Sequence, residues 1–188
     1  MSEKVYKLGL IVGRFQVYHL GHEDMIRRSL AICDQTIILI GSAQEANTAK
    51  NPFSYDMRKE ILASVFSQEI ADGQLIIKPL NDIGVGNNST WGEYVLNEVY
   101  RHLNTYPDIL VSGKEERRVS WFDNLEVKLA ELYIPKTVDT SSTKMREAMI
   151  NHDFEYWKQY ANELIWPLYE KMRAIVIKAQ INTDTKSM

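Results

Sequence analysis

His19 and His22 stand on either side of Gly21 in the run Gly13-Arg14-Phe15-Gln16-Val17-Tyr18-His19-Leu20-Gly21-His22. Imidazoles at this spacing, where a helix begins, can present ring N–H donors beside free backbone amides and the positive end of the helix dipole. Gly21 lets the backbone approach a ligand with no Cβ in the way, and Arg14 adds a permanently charged fork for phosphate oxygens. The set suits a polyphosphate. A pair of histidines alone would read more readily as caps or surface residues; the whole run shifts the reading toward an anion site. Ser141-Ser142-Thr143-Lys144-Met145-Arg146 offers a second cradle. Its hydroxyls and amides lie at a helix start, and Arg146 shares a helical face with Thr143. Taken alone, this second run reads equally as an ordinary N-cap followed by a surface arginine.

The elements that must position these residues can be read from the apolar pattern. Short runs rich in β-branched residues recur at Leu8–Val12, Thr36–Ile40, Gln74–Lys78, Ile109–Ser112 and Leu132–Ile134, as strands buried on both faces do. Helical periodicity falls between them at Gly21–Ile32, Tyr55–Phe66, Trp91–Leu103 and, more weakly, Trp121–Ala130. The alternation predicts an α/β fold: a Rossmann-like, doubly wound parallel sheet whose ligands collect beyond the carboxyl ends of the strands. After Ser142 the pattern is helical, with Thr143–Ile150 and an aromatic stretch from Phe154 to about Lys178 that breaks at Pro167. Residues 181–188 look frayed. A single unit over 1–188 is expected, with an α/β nucleotide-binding core over 8–150 and C-terminal helices over 151–180; no repeat or linker divides it.

With the frame in place, the two runs resemble the signatures of the His-x-Gly-His nucleotidyltransferase superfamily. The form is that of archaeal-type nicotinamide mononucleotide adenylyltransferases, with Gly-Arg-Phe-Gln before the histidines and Ser-Ser-Thr-x-x-Arg as the second signature. Gly41-Ser42-Ala43-Gln44, Asn51-Pro52-Phe53 with Arg58, Pro79-Leu80-Asn81-Asp82-Ile83 and Val111-Ser112-Gly113 extend the likeness over most of residues 8–150. The resemblance implies transfer of AMP from ATP to nicotinamide mononucleotide, yielding NAD and pyrophosphate. By the same resemblance His19, His22, Arg14 and Arg146 would be catalytic. ATP would be bound by Gly13, Phe15, Gln16, Gly21, Gly113, Ser141, Ser142 and Thr143, with Mg2+ riding on the triphosphate and no metal cage made by protein alone. The acceptor pocket would take Asp82, Asn87 or Asn88, and Trp91. Trp91 suits stacking on a pyridinium, though it reads equally as a core residue opening a helix, and Asp82 equally as a turn residue.

Three positions depart from the family pattern. Val17 stands where proline is usual, which predicts a looser loop; Asn47 replaces a histidine that contacts ATP; Thr140 replaces isoleucine. Gly84–Ser89 reads as a flexible loop able to close over substrate. Acceptors such as pantetheine phosphate, a flavin nucleotide or a polyol phosphate remain open, as does a nucleotide-binding module without turnover.

Composition bounds the rest. Twenty-two Lys and Arg against 25 Asp and Glu give a net charge of −3, so no global basic field draws the chain to nucleic acid or an anionic membrane. The single cysteine, Cys33, excludes an internal disulfide and a multi-cysteine metal site, and a cytoplasmic setting is expected. Gly84-Val85-Gly86 lacks the third glycine of a dinucleotide fingerprint, and Gly113-Lys114 lacks the upstream glycine of a Walker loop. Oligomeric state is open: Tyr156, Trp157, Tyr160, Trp166 and Tyr169 could pack on the sheet or on a second subunit, the sheet being the simpler partner.

Overall fold

The structure, a computed structural model, describes residues 3–86, 88–113 and 121–186. Five strands, β1 (Tyr6–Gly13), β2 (Cys33–Ile40), β3 (Leu75–Pro79), β4 (Ile109–Ser112) and β5 (Ala130–Tyr133), form one parallel sheet in the order β3-β2-β1-β4-β5. The chain builds outward from β1 to β3 and then returns to place β4 on the other side of β1. The strand order therefore reverses beside β1, which is where parallel sheets of this kind bind ligands.

Both faces are covered because the strands are apolar on both sides. Ile11, Ile38, Ile40, Ile77, Ile109 and Val111 face one core. It is closed by α1 (Leu20–Ile32), α2 (Tyr55–Val65), α5 (Ser142–Ile150), α6 (Phe154–Tyr160), a 3-10 turn (Glu163–Leu168) and α7 (Tyr169–Lys186). Leu8, Leu10, Ile37, Leu39 and Leu110 face the other, closed by Val95, Leu96 and Val99 of α4 (Ser89–Leu103). A short α3 (Ser67–Ala71), absent from the sequence reading, links α2 to β3. Trp157 and Tyr169 are buried in the first core, so the aromatic C-terminal segment packs on its own chain.

Two expectations are corrected. Residues 121–127 make turns and bends instead of a helix, and β5 begins at Ala130. The apolar spacing of Trp121, Phe122, Leu125 and Leu129 imitates a helix, but these side chains cover the second core from an irregular segment pressed onto α4. A Cβ on Gly92 would lie 1.8 Å from the Trp121 carbonyl oxygen, so only glycine permits that approach. At the other end, α7 continues to Lys186 where fraying was expected, tethered by a hydrogen bond from the Ala49 N–H to Thr183 Oγ1.

Candidate active site

The run after β1 is pinned from three directions. Gly41 donates from its backbone to the Gly13 carbonyl at 2.9 Å, joining the exits of β1 and β2. The Gln16 amide makes a reciprocal pair with Phe53, donating to its carbonyl and accepting from its N–H, both at 2.9 Å. From α5, Ser142 Oγ donates to the Val17 carbonyl at 2.8 Å and Arg146 donates to the Gln16 carbonyl. The two separated sequence runs therefore meet. Val17, where the family pattern has proline, is fully buried and its carbonyl is held by Ser142.

His19 is the N-cap of α1. Its Nδ1 accepts from the Gly21 N–H at 3.2 Å, which leaves the neutral ring with its proton on the outward Nε2, a donor. Gly21 leaves room for the imidazole: a Cβ would lie 3.1 Å from the His19 ring, which would have to shift to admit it. Three of the first-turn amides are already bonded within the chain, against the expectation that they would be free for an anion; Gly21 N is taken by the cap, and His22 and Glu23 N–H both bond the His19 carbonyl. The His19 and His22 rings stack with centroids 3.9 Å apart, and Phe15 packs on His22 at 4.9 Å. Burial, with Lys136 as a lesser cause, pulls His19 down to about 4. Burial and then the neighbouring His19 hold His22 well below the ordinary histidine value, and its Nδ1 is enclosed with no hydrogen-bond partner.

Three guanidinium groups surround this corner. Arg14 is exposed and reaches Asn51 Oδ1 at 3.4 Å. Arg146 lies half-buried, its other bond going to Thr143 Oγ1 at 3.1 Å; burial, then Arg14, depresses its titration. Arg58 is only 1% exposed and donates to the carbonyls of Gly41 (2.7 Å), Arg14 (3.0 Å), Ser42 (3.1 Å) and Ser54 (3.2 Å). Burial, and secondly the Arg14 charge, lowers it to about 10. Among the described residues none of the three has a carboxylate within ion-pair distance. Arg14 disfavours the charge on both of the others, and a bound polyanion would relieve both.

The side chains assigned to ATP divide into two groups. Phe15 (2% exposed) and Gln16 (2%) face inward, so they shape the loop and do not offer side chains to a ligand. Ser141 caps α5 by accepting from the Lys144 N–H, and Ser142 is spent on Val17. Thr143 is exposed beside Arg146, and Gly113 lies exposed at the end of β4, where a Cβ would sit 3.4 Å from Met25 Sδ.

The fold and this corner can be compared with known proteins. A family model for cytidylyltransferase-like proteins matches residues 10–148. The nicotinamide-nucleotide adenylyltransferase of Archaeoglobus fulgidus is 39% identical over 168 residues, covering 87% of this chain and 91% of that protein. The chain belongs to the nicotinamide-nucleotide adenylyltransferase family. Its likeness to the Thermoplasma volcanium member is 30% over 165 residues, or 88% of this chain and 85% of that one. With the Saccharolobus solfataricus member it is 41% over 88 residues, so there the match spans about half of each protein (46% and 50%). Among solved structures, a bifunctional NMN adenylyltransferase/ADP ribose pyrophosphatase from Francisella tularensis, complexed with AMP and a manganese ion, superposes with a TM-score of 0.75. It is 23% identical and covers 93% of this chain against 52% of its own, a likeness of fold.

In this adenylyltransferase-family chain the expected acceptor residues Asp82, Asn88 and Trp91 follow the carboxyl end of β3. The Ala43 N–H bonds the Leu80 carbonyl, and the Gln44 amide clamps the Asp82 backbone, donating at 2.9 Å and accepting at 3.0 Å. The Asp82 carboxylate accepts from the Gly84 N–H at 2.9 Å while staying exposed. Asn88 is committed to structure: it caps α4 by accepting from Trp91 N–H and donates to the Val85 carbonyl at 2.7 Å. Asn87 lies outside the described residues. Trp91 is half-buried against Tyr94 (5.5 Å) and Trp121 (6.1 Å), with part of its surface open at the head of α4. The expected loop ends at Asn88, since Ser89 is already helical.

Sequence reasoning quoted Arg58, Asn51 and Gln44 only as part of the resemblance and assigned them no work. Arg58 had a visible signal. It shares the i, i+3, i+4, i+7 stripe with Ile61, Leu62 and Val65, where a cation is out of place unless it is bonded inside.

Proposed function

We propose that this chain transfers AMP from ATP to nicotinamide mononucleotide, releasing pyrophosphate and forming NAD. The observation that carries the reading is the meeting of Arg14, Arg146 and the His19–His22 pair at the carboxyl edge of β1, joined by Ser142 to Val17 and Arg146 to Gln16. Cations and N–H donors with no carboxylate partner among the described residues are what a triphosphate needs. The neighbouring rim, with Asp82 and the open part of Trp91, supports a planar, positively charged acceptor ring next to it.

The chemistry asks little of the protein beyond placement. The acceptor phosphate is already ionised, so an oxygen of it attacks the α-phosphorus in line while the bond to the pyrophosphate oxygen breaks. The chain must hold two polyanions together against their repulsion and stabilise charge growing on the leaving group. Arg14 and Arg146 offset that charge, His19 donates from Nε2, and His22, buried and stacked on it, fixes the ring. Gly13 and Gly21 leave room for the Phe15 and His19 rings, and Gly113 is exposed past the end of β4, where a nucleotide can approach. Mg2+ fits here as part of the nucleotide, neutralising the triphosphate when bound and held by phosphate oxygens and water. The donors at this corner are imidazole, guanidinium and hydroxyl groups, and among the described residues no cluster of His, Cys, Asp and Glu could cage an ion. A cytoplasmic setting is supported by the single buried, unpaired Cys33, and among the described residues no helix is long and apolar enough to cross a membrane.

Pyrophosphate release from purified protein, ATP and Mg2+ tests the reading when each acceptor is added in turn: nicotinamide mononucleotide, its acid form, pantetheine phosphate, a flavin nucleotide and a polyol phosphate. Turnover with nicotinamide mononucleotide is expected. Turnover only with a different acceptor class, or none with any, overturns it.

A further inference from the structure

We propose that Thr183, near the end of α7, is a positioning residue for Arg14 and acts on it through the turn at residues 48–51. The inference rests on the adenylyltransferase reading of the Arg14 corner.

The hydroxyl of Thr183 both donates and accepts. It donates to the Ala179 carbonyl at 2.9 Å, one helical turn back, and this directs its lone pair outward to accept from the Ala49 N–H at 2.8 Å. The turn that receives the bond is closed on itself. Thr48 N–H bonds the Asn51 carbonyl at 3.3 Å, Asn51 N–H bonds Thr48 Oγ1 at 3.0 Å, and Asn47 N–H bonds the Pro52 carbonyl at 3.2 Å. Asn51, 1% exposed, gives its Nδ2 to Glu45, which leaves the amide oxygen turned toward the Arg14 guanidinium at 3.4 Å. Among the described residues Asn51 is the hydrogen-bond acceptor that orients this otherwise exposed guanidinium.

On this side the turn faces the C-terminal helices across a gap. A cleft of about 300 Å3 opens there, lined by Ala49 and Lys50 from the turn, Arg146 and Ile150 from α5, and Val176 and Gln180 from α7. The Thr183 bond is the strut that ties the turn to α7 beside this gap. Losing it frees the turn, and with it the rotamer of Arg14, without emptying any part of the core.

Thr183→Val removes the hydroxyl and keeps the shape, so ATP affinity is measured by calorimetry without acceptor, where no turnover intervenes. Affinity should fall roughly fivefold, the effect of one ordinary hydrogen bond, and Thr183→Ser should restore it. Thr183→Ala, which adds no methyl to the contact, should repeat the loss. In an Arg14→Ala background Thr183→Val should cost nothing further, because both changes act on one contact. Unchanged affinity, a loss that serine fails to rescue, or an equal loss in the Arg14→Ala background overturns the proposal. Wild-type protein that fails to bind ATP sinks the adenylyltransferase reading, whereas wild-type binding with an indifferent Thr183→Val sinks this inference alone.

Discussion

Replacing Arg58 with methionine should leave a folded protein with a damaged nucleotide site. The guanidinium makes two buried bonds, to Gly41 at 2.7 Å and Ser42 at 3.1 Å, and two more at its edge, to Arg14 and Ser54. Bonds from a charged donor contribute about 1.5–3 kcal/mol each, so the buried pair accounts for roughly 3–6 kcal/mol. Against this stands the burial of a cation with no ion-pair partner among the described residues, a cost of several kcal/mol that methionine abolishes. The two nearly offset, leaving a net loss of about 0–3 kcal/mol, or up to roughly 10 °C in Tm for a chain of this size. Function has no such compensation. The carbonyls of Arg14, Gly41 and Ser42 lose their common donor, and the exits of β1 and β2 drift apart under the phosphates. KM for ATP should rise about tenfold or more by pyrophosphate-release kinetics. Arg58→Lys should be nearly as harmful, since one ammonium cannot reach four carbonyls. A variant that melts within this range and keeps a normal KM for ATP would refute the reasoning.

Four further tests follow from the same geometry. His19→Ala and His22→Ala should each lower kcat by roughly 10²–10³ with a smaller change in KM, and unchanged kcat in both would remove the histidines from the chemistry. His19 is held at about 4 and His22 well below its ordinary value, both below the unfolded value near 6.5. The unfolded chain therefore binds more protons between these limits, so stability is full above about pH 6.5 and is lost as pH falls toward 4, measured by Tm against pH. Phosphates should raise both groups again, so ATP binding at pH 6 should take up protons; calorimetry giving the same heat in buffers of different ionisation enthalpy would exclude this. Gly92→Ala must push the Trp121 backbone off α4 from a clashing 1.8 Å and should destabilise the fold by about 1–3 kcal/mol in a denaturant titration. Wild-type stability there would mean that this contact is not made.

Much of the fold was legible because parallel strands buried on both faces are continuous apolar runs. Ile109–Ser112 is found as read, and the first three strands differ only at their ends. The 121–130 segment misled because its apolar spacing reports burial and not backbone shape, and the residue that decides the shape, Gly92, lies on another element. In the site, the types and spacing of His19, His22, Arg14 and Arg146 were readable. How the loop is held was not, because it depends on pairings across long sequence gaps: Gln16 with Phe53, Arg58 with Gly41, Ser142 with Val17. A buried polar residue looks in a sequence like any surface one unless, as with Arg58, it interrupts an apolar stripe.

The central claim is that residues from both ends of the sheet domain grip a single triphosphate. A crystal structure with an unreactive ATP analogue tests it most directly. One chain of phosphates should lie within hydrogen-bonding reach of His19 Nε2, Arg14 and Arg146 together. Phosphates bound away from the carboxyl edge of β1, or touching the histidines while Arg146 stays on its present protein partners alone, would contradict the account.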